Sequence, residues 1–166
     1  MKLPDPLHPA IVHFPIVLIL AGTLFAIICL FFRTRAMRWF AAILLLSGAL
    51  GATAAVFTGE KAAHAAGDIP DTVERILDEH AEWGEGARNW AILAAVLSIA
   101  TAATSRRTAL PRVLAILTIV AACFSSRSVY EAGKHGGMLV YEHGVGVKIM
   151  QPAEQSVTPP LHKQAP

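Results

Sequence analysis

Seven histidines stand out among the 166 residues: His8, His13, His64, His80, His135, His143 and His162. Imidazole is the side chain best suited to three tasks. Pairs from different helices can ligate a haem iron axially. Three or four, with carboxylates, can hold zinc or copper. Exposed ones titrate between pH 5 and 8 and can sense protons. The two cysteines, Cys29 and Cys123, lie in apolar runs, and no Cys-x-x-Cys-His or zinc-ribbon spacing occurs, which excludes covalent c-type haem attachment. Ser125 and Ser126 have no acid-oriented histidine near them in the chain, and there is no phosphate-binding loop, so stand-alone enzymatic chemistry is not expected.

The elements that must position these residues are membrane helices. The chain is 54% hydrophobic and 16% charged, against about 25% charged in an ordinary soluble domain. Its mean hydropathy is +0.51. This excludes disorder and a basic nucleic-acid-binding face. Apolar runs predict four spans, at about 11–32, 39–57, 87–104 and 111–130, each near the length needed to cross a bilayer. The first ends in Phe31-Phe32-Arg33-Thr34-Arg35, a stop-transfer pattern that reads as a retained helix rather than a cleaved signal. The third helix is expected to start well before its apolar part, near Asp71 after Pro70. Small residues at four-residue spacing (Gly22 and Ala26; Ser47, Gly51 and Ala55; Ala91 and Ala95) suit close helix packing in lipid.

The expected fold class is therefore all-α: an integral membrane antiparallel four-helix bundle, residues 1–150. A short Gly-rich extramembrane segment, Gly133 to Val147, follows the last helix, with Met138–Tyr141 as an interfacial strand or hairpin. Residues 151–166 form a Pro-rich, linker-like or disordered tail. No internal repeat is visible.

Charge sets the expected orientation. The first loop carries Arg33, Arg35 and Arg38 and the third Arg106, Arg107 and Arg112, with no acids; the positive-inside rule puts both in the cytoplasm and both termini outside. The segment Thr58–Glu85 holds eight acids against Lys61 and Arg75, giving an acidic outer face. All seven histidines then fall on the outer side. His13 lies one turn inside an apolar helix, where an ionisable side chain is a functional candidate by default. For a haem, Phe14, Trp83 and Trp90 could supply an apolar slot and Arg127 a propionate partner, although Arg127 could equally snorkel and the tryptophans form an interfacial belt. Met138 packs or, less simply, ligates. The candidate cofactor-binding set is His8, His13, His64, His80, Arg127, His135 and His143, with His13 and His80 as candidate metal ligands; Glu60, Asp68 or Glu142 could join them around copper or zinc.

Leu7-His8-Pro9-Ala10-Ile11-Val12-His13-Phe14-Pro15, Thr58-Gly59, His80, Gly136-Gly137-Met138-Leu139-Val140-Tyr141 and Gly144-Val145-Gly146-Val147 together resemble the DUF2231 family of bacterial membrane proteins. The resemblance implies a four-helix membrane domain in the inner membrane. Relatives fused to Rieske or c-type cytochrome domains imply electron transfer; here a redox partner would be a separate periplasmic c-type cytochrome, a Rieske protein or a larger respiratory complex. His8 and His80 match the shared pattern best. The expectation is a b-type haem subunit relaying electrons near the outer face. A copper or zinc protein, and a cofactor-free structural or assembly subunit, are the rivals.

Overall fold

The computed structural model describes residues 7–32, 34–65, 69–104 and 109–146. The tail 151–166, His162, Asp68, Arg33, Arg106 and Arg107 lie outside the described residues. The rest is helical: α1 (His8–Ile11), α2 (His13–Phe31), α3 (Arg35–Ala65), α4 (Asp71–Ala103) and α5 (Leu110–Tyr141). Among the described residues there is no strand. Val12, between α1 and α2, keeps helical angles (φ −60°, ψ −30°). The break there is the work of Pro15, which lacks the amide that would bond the Ile11 carbonyl. Together α1 and α2 make the first of four segments long and apolar enough to cross a membrane; α3, α4 and α5 are the others.

Consecutive spans run antiparallel, as their contacts show. Gly22 faces Leu45, Gly48 faces Ile19, Gly51 faces Pro15 and Gly59 faces His8. On the second hairpin, Gly86 faces Ser128 and Gly136 faces His80, while Ser125 Oγ donates to the Ala87 carbonyl at 2.9 Å. The core they enclose is Ile19, Leu45 and seven alanines, including Ala91, Ala94, Ala95, Ala121 and Ala122. Large apolar side chains such as Val17, Leu24, Leu50, Val96 and Ile116 face outward. This inverts the pattern of a soluble bundle. In lipid, apolar burial drives nothing, so helices meet through small residues and leave the large ones to the acyl chains. Hydroxyls inside the bundle find carbonyls: Thr23 donates to Ile19 O at 2.8 Å, and Thr23 and Ser126 join α2 to α5 at 3.0 Å.

The helices overreach the bilayer. The 33 residues of α4 cover about 50 Å, against a hydrocarbon thickness of about 30 Å. Its apolar half begins near Ala87, so the acidic half from Asp71 stands clear. Pro70 precedes it in extended conformation, and Asp71 and Glu74 sit in the first turn, where carboxylates suit the helix dipole.

The stretch from Gly133 to Tyr141 belongs to α5, which corrects the expectation of a separate Gly-rich segment with a strand or hairpin at Met138–Tyr141. The reason is tertiary. Leu139 is buried against Val73 and Ile76 of α4, with Met138 and Val145 beside them, and this cluster outweighs the weak helix propensity of glycine. The helix stops two residues after its last buried side chain: Gly144 takes φ +66° and the Val145 amide reaches back to the Leu139 carbonyl at 2.9 Å.

Burial corrects the expectation of no internal repeat, because the two halves share buried positions rather than residue identities. Counted from His8, the residues 7, 11, 14, 15 and 18 further on are Pro15, Ile19, Gly22, Thr23 and Ala26, the buried set of α2. The same steps from His80 give Ala87, Ala91, Ala94, Ala95 and Ser98, all buried. Counted back from Gly59, steps of 11, 14 and 18 reach Gly48, Leu45 and Ala41; from Gly136 they reach Ser125, Ala122 and Thr118, and all six are buried. The chain is two hairpins of one design, in the same orientation, side by side.

Candidate functional site

The bundle has an arginine end, with Arg35, Arg38 and Arg112, and a histidine end. At the histidine end, α1 supplies His8 and the exposed half of α4 supplies His80. Their ring centroids lie 6.0 Å apart with the ring planes at 87°. His8 Nδ1 donates to the Ala55 carbonyl of α3 at 2.9 Å, with Thr58 Oγ1 at 3.3 Å. His80 Nδ1 donates to the Ala132 carbonyl of α5 at 2.8 Å. A carbonyl only accepts, so each ring carries a proton on Nδ1, and the neutral ring has its lone pair on Nε2. Both rings are half-buried, and among the described residues no hydrogen bond reaches either Nε2.

Each ring rests on a glycine. A Cβ on Gly59 would lie 3.1 Å from His8 Cε1; a Cβ on Gly136 would lie 3.0 Å from His80 Cε1. The carbonyl that accepts each Nδ1–H belongs to the residue four before that glycine, in the runs Ala55-Val56-Phe57-Thr58-Gly59 and Ala132-Gly133-Lys134-His135-Gly136. The first glycine and its threonine, and the second glycine, are part of the motifs that carry the family resemblance, but the sequence alone left them without a role. The shared Ala-x-x-x-Gly spacing, each with a histidine on the preceding helix, is the signal that could have found them.

The other candidates stand apart from this pair. His13 is exposed on the flank of α2 and its Nδ1 donates to Pro9 O of α1 at 2.9 Å, one turn back in the same span. His64 is exposed in the last turn of α3, and His143 is exposed in the turn after α5. His135 approaches Glu79 Oε2 at 3.1 Å through Nε2, and its Nδ1 donates to Glu131 O at 2.8 Å; both of its nitrogens therefore meet acceptors. Arg127 lies over the Trp83 ring at 5.7 Å and pairs with Glu131 at 3.7 Å. Trp90 stacks on Phe124 at 4.9 Å, and Phe14 is 65% exposed, so both face outward rather than lining the histidine pair. Glu60 and Glu142 are exposed. Among the described residues no group of three or more His, Cys, Asp or Glu is close enough to hold a metal ion.

Four long apolar helices, a core of small residues and an outward apolar surface define a multi-span membrane protein. The family model described as "Predicted membrane protein (DUF2231)" matches residues 4–149, and the chain belongs to that family. No curated protein and no solved structure matches it.

Proposed function

We propose that the protein is a redox subunit of the bacterial inner membrane that holds a b-type haem between His8 and His80 near the outer face. The observation that carries this is the paired imidazoles, 6.0 Å apart, each oriented through Nδ1. Two imidazoles from different helices are a donor pair that would suit a haem iron. A haem held here would take His8 and His80 as its protein ligands. A structural zinc asks for four, and the described residues gather no third ligand here. The donor set thus fits the haem better than zinc.

When bound, the haem would supply one-electron chemistry. The chain's part is to fix two Nε2 atoms without spending charge. The Ala55 and Ala132 carbonyls hold each ring in one tautomer, as second-shell acceptors do for metal-bound histidines. The arginine-rich loops favour a cytoplasmic arginine end, which would set the histidine pair and both termini on the periplasmic side, within reach of a c-type cytochrome, a Rieske protein or a larger respiratory complex.

The test is the absorption spectrum of the full chain, purified in detergent after expression with added haem precursor and reduced with dithionite, together with metal analysis. A six-coordinate b-type spectrum, lost in His8→Ala and in His80→Ala, is expected. A colourless protein sinks the reading, and stoichiometric copper or zinc without iron replaces it with a metal-handling one.

A further inference from the structure

We propose that Gly59 and Gly136 are positioning residues of a duplicated device that presents His8 and His80 through Nε2. The proposal rests on reading these two rings as a ligand pair. Its foundation is repetition. In each hairpin a histidine of one span donates Nδ1–H to a carbonyl of the next span, at 2.9 and 2.8 Å. In each, the glycine four residues later leaves the space into which Cε1 fits, with 3.1 and 3.0 Å to a notional Cβ. A single such contact is ordinary packing. The same contact set, at the same step from the same buried residues in both hairpins, makes it a built feature.

The glycines act through sterics. Ordinary carbon contacts lie at about 3.5–4.0 Å, so a methyl at either position forces the ring back by about half an ångström. That lengthens the Nδ1–H···O bond and frees the tautomer. Gly84 of α4 and Gly133 of α5 have nothing within 4 Å of a Cβ, so alanine there leaves both rings alone.

The experiment is ring nitrogen NMR on the full chain labelled at histidine, prepared without haem in detergent micelles. In the unmodified chain both His8 and His80 should be Nδ1–H tautomers. Gly59→Ala should shift the ring signals of His8, and Gly136→Ala those of His80, while Gly84→Ala and Gly133→Ala shift neither. Either ring found protonated on Nε2 overturns the proposal, as do ring signals unmoved by the two alanines. If a variant fails to fold, the tautomers of the unmodified chain decide. A second readout is hemin titration, where each alanine should weaken binding by about tenfold or more, the scale of losing a ligand's orienting partner. Should hemin not bind the unmodified chain, the haem reading fails while the tautomers still judge this one.

Discussion

Alanine at Gly22 should destabilise the bundle, whereas alanine at Gly133 should not, although both are helical glycines in the same protein. A Cβ on Gly22 would lie 2.8 and 2.9 Å from Leu45 Cδ2 and Cγ and 3.2 Å from the Leu45 amide. Leu45 is 0% exposed, so its side chain has nowhere to go, and α2 and α3 must move apart. Overpacking of this kind costs about 1–3 kcal/mol. Replacing a helical glycine by alanine returns about 1 kcal/mol. The net at Gly22 is a loss of up to about 2 kcal/mol. At Gly133, with no atom within 4 Å, only the gain remains. The propensity term is common to both, so the difference between the two variants isolates the clash. The assay is reversible unfolding in mixed detergent and SDS micelles, followed by helical circular dichroism. The clash predicts its own relief: Leu45→Ala alone opens a cavity and costs about 2–5 kcal/mol, but the double variant should cost less than the two singles added, by about 1–3 kcal/mol of coupling. Equal stability of Gly22→Ala and Gly133→Ala, or strict additivity in the cycle, refutes the reasoning.

Other outcomes follow from single contacts. Ser125→Ala removes the one hydroxyl that ties α5 to the Ala87 carbonyl from a fully buried position; it should cost about 0.6–1.7 kcal/mol, the range for interhelical hydrogen bonds in membrane proteins, in the same unfolding assay. Leu139→Ala empties the water-facing cluster with Val73 and Ile76, so amide exchange should accelerate across residues 133–145 while the spans stay protected. Substituting His13 or His64 by alanine should leave any haem spectrum unchanged, because His13 bonds one turn back within its own span and His64 is exposed beyond the pair; loss of pigment in either would move the ligand assignment away from His8 and His80.

The four helices were legible because lipid imposes a coarse rule: about 20 apolar residues per span, broken by charged or proline-bearing loops. The start of α4 at Asp71 was legible from Pro70 and the acidic first turn. The end of α5 was not. Gly133, Gly136 and Gly137 read locally as a breaker, and only the partner helix shows why they are helical, since Val73 and Ile76 lie some sixty residues away and bury Leu139. The site divides the same way. That the histidines cluster towards one end could be read from topology. Which two of them meet could not, because pairing depends on the rotation of α1 and α4 about their axes. His13, the histidine set deepest in an apolar run, turned out to face outward, while His8 at the margin faces its partner.

The two hairpins have kept one design while diverging in how they fill it. In the first, large and small alternate: Leu45 packs on Gly22 and Ile19 on Gly48, knobs matched to notches. In the second, the corresponding residues are Ala122 with Ala94 and Ala91 with Ser125, all close to fully buried. Small residues on both sides bring α4 and α5 together without knobs, and the hydroxyl of Ser125 then reaches across to a carbonyl, a bond that a leucine or glycine at that register could not make. Core packing is thus interchangeable between the halves, since either solution gives contact in lipid. The histidine on its Ala-x-x-x-Gly seat is not interchanged: it recurs with the same donor atom, the same acceptor four residues before the glycine and nearly the same distances. Packing alone does not require it, because an imidazole half out of water adds little that a leucine would not. What recurs in both hairpins is an imidazole fixed by its Nδ1–H bond to a carbonyl and seated on a glycine.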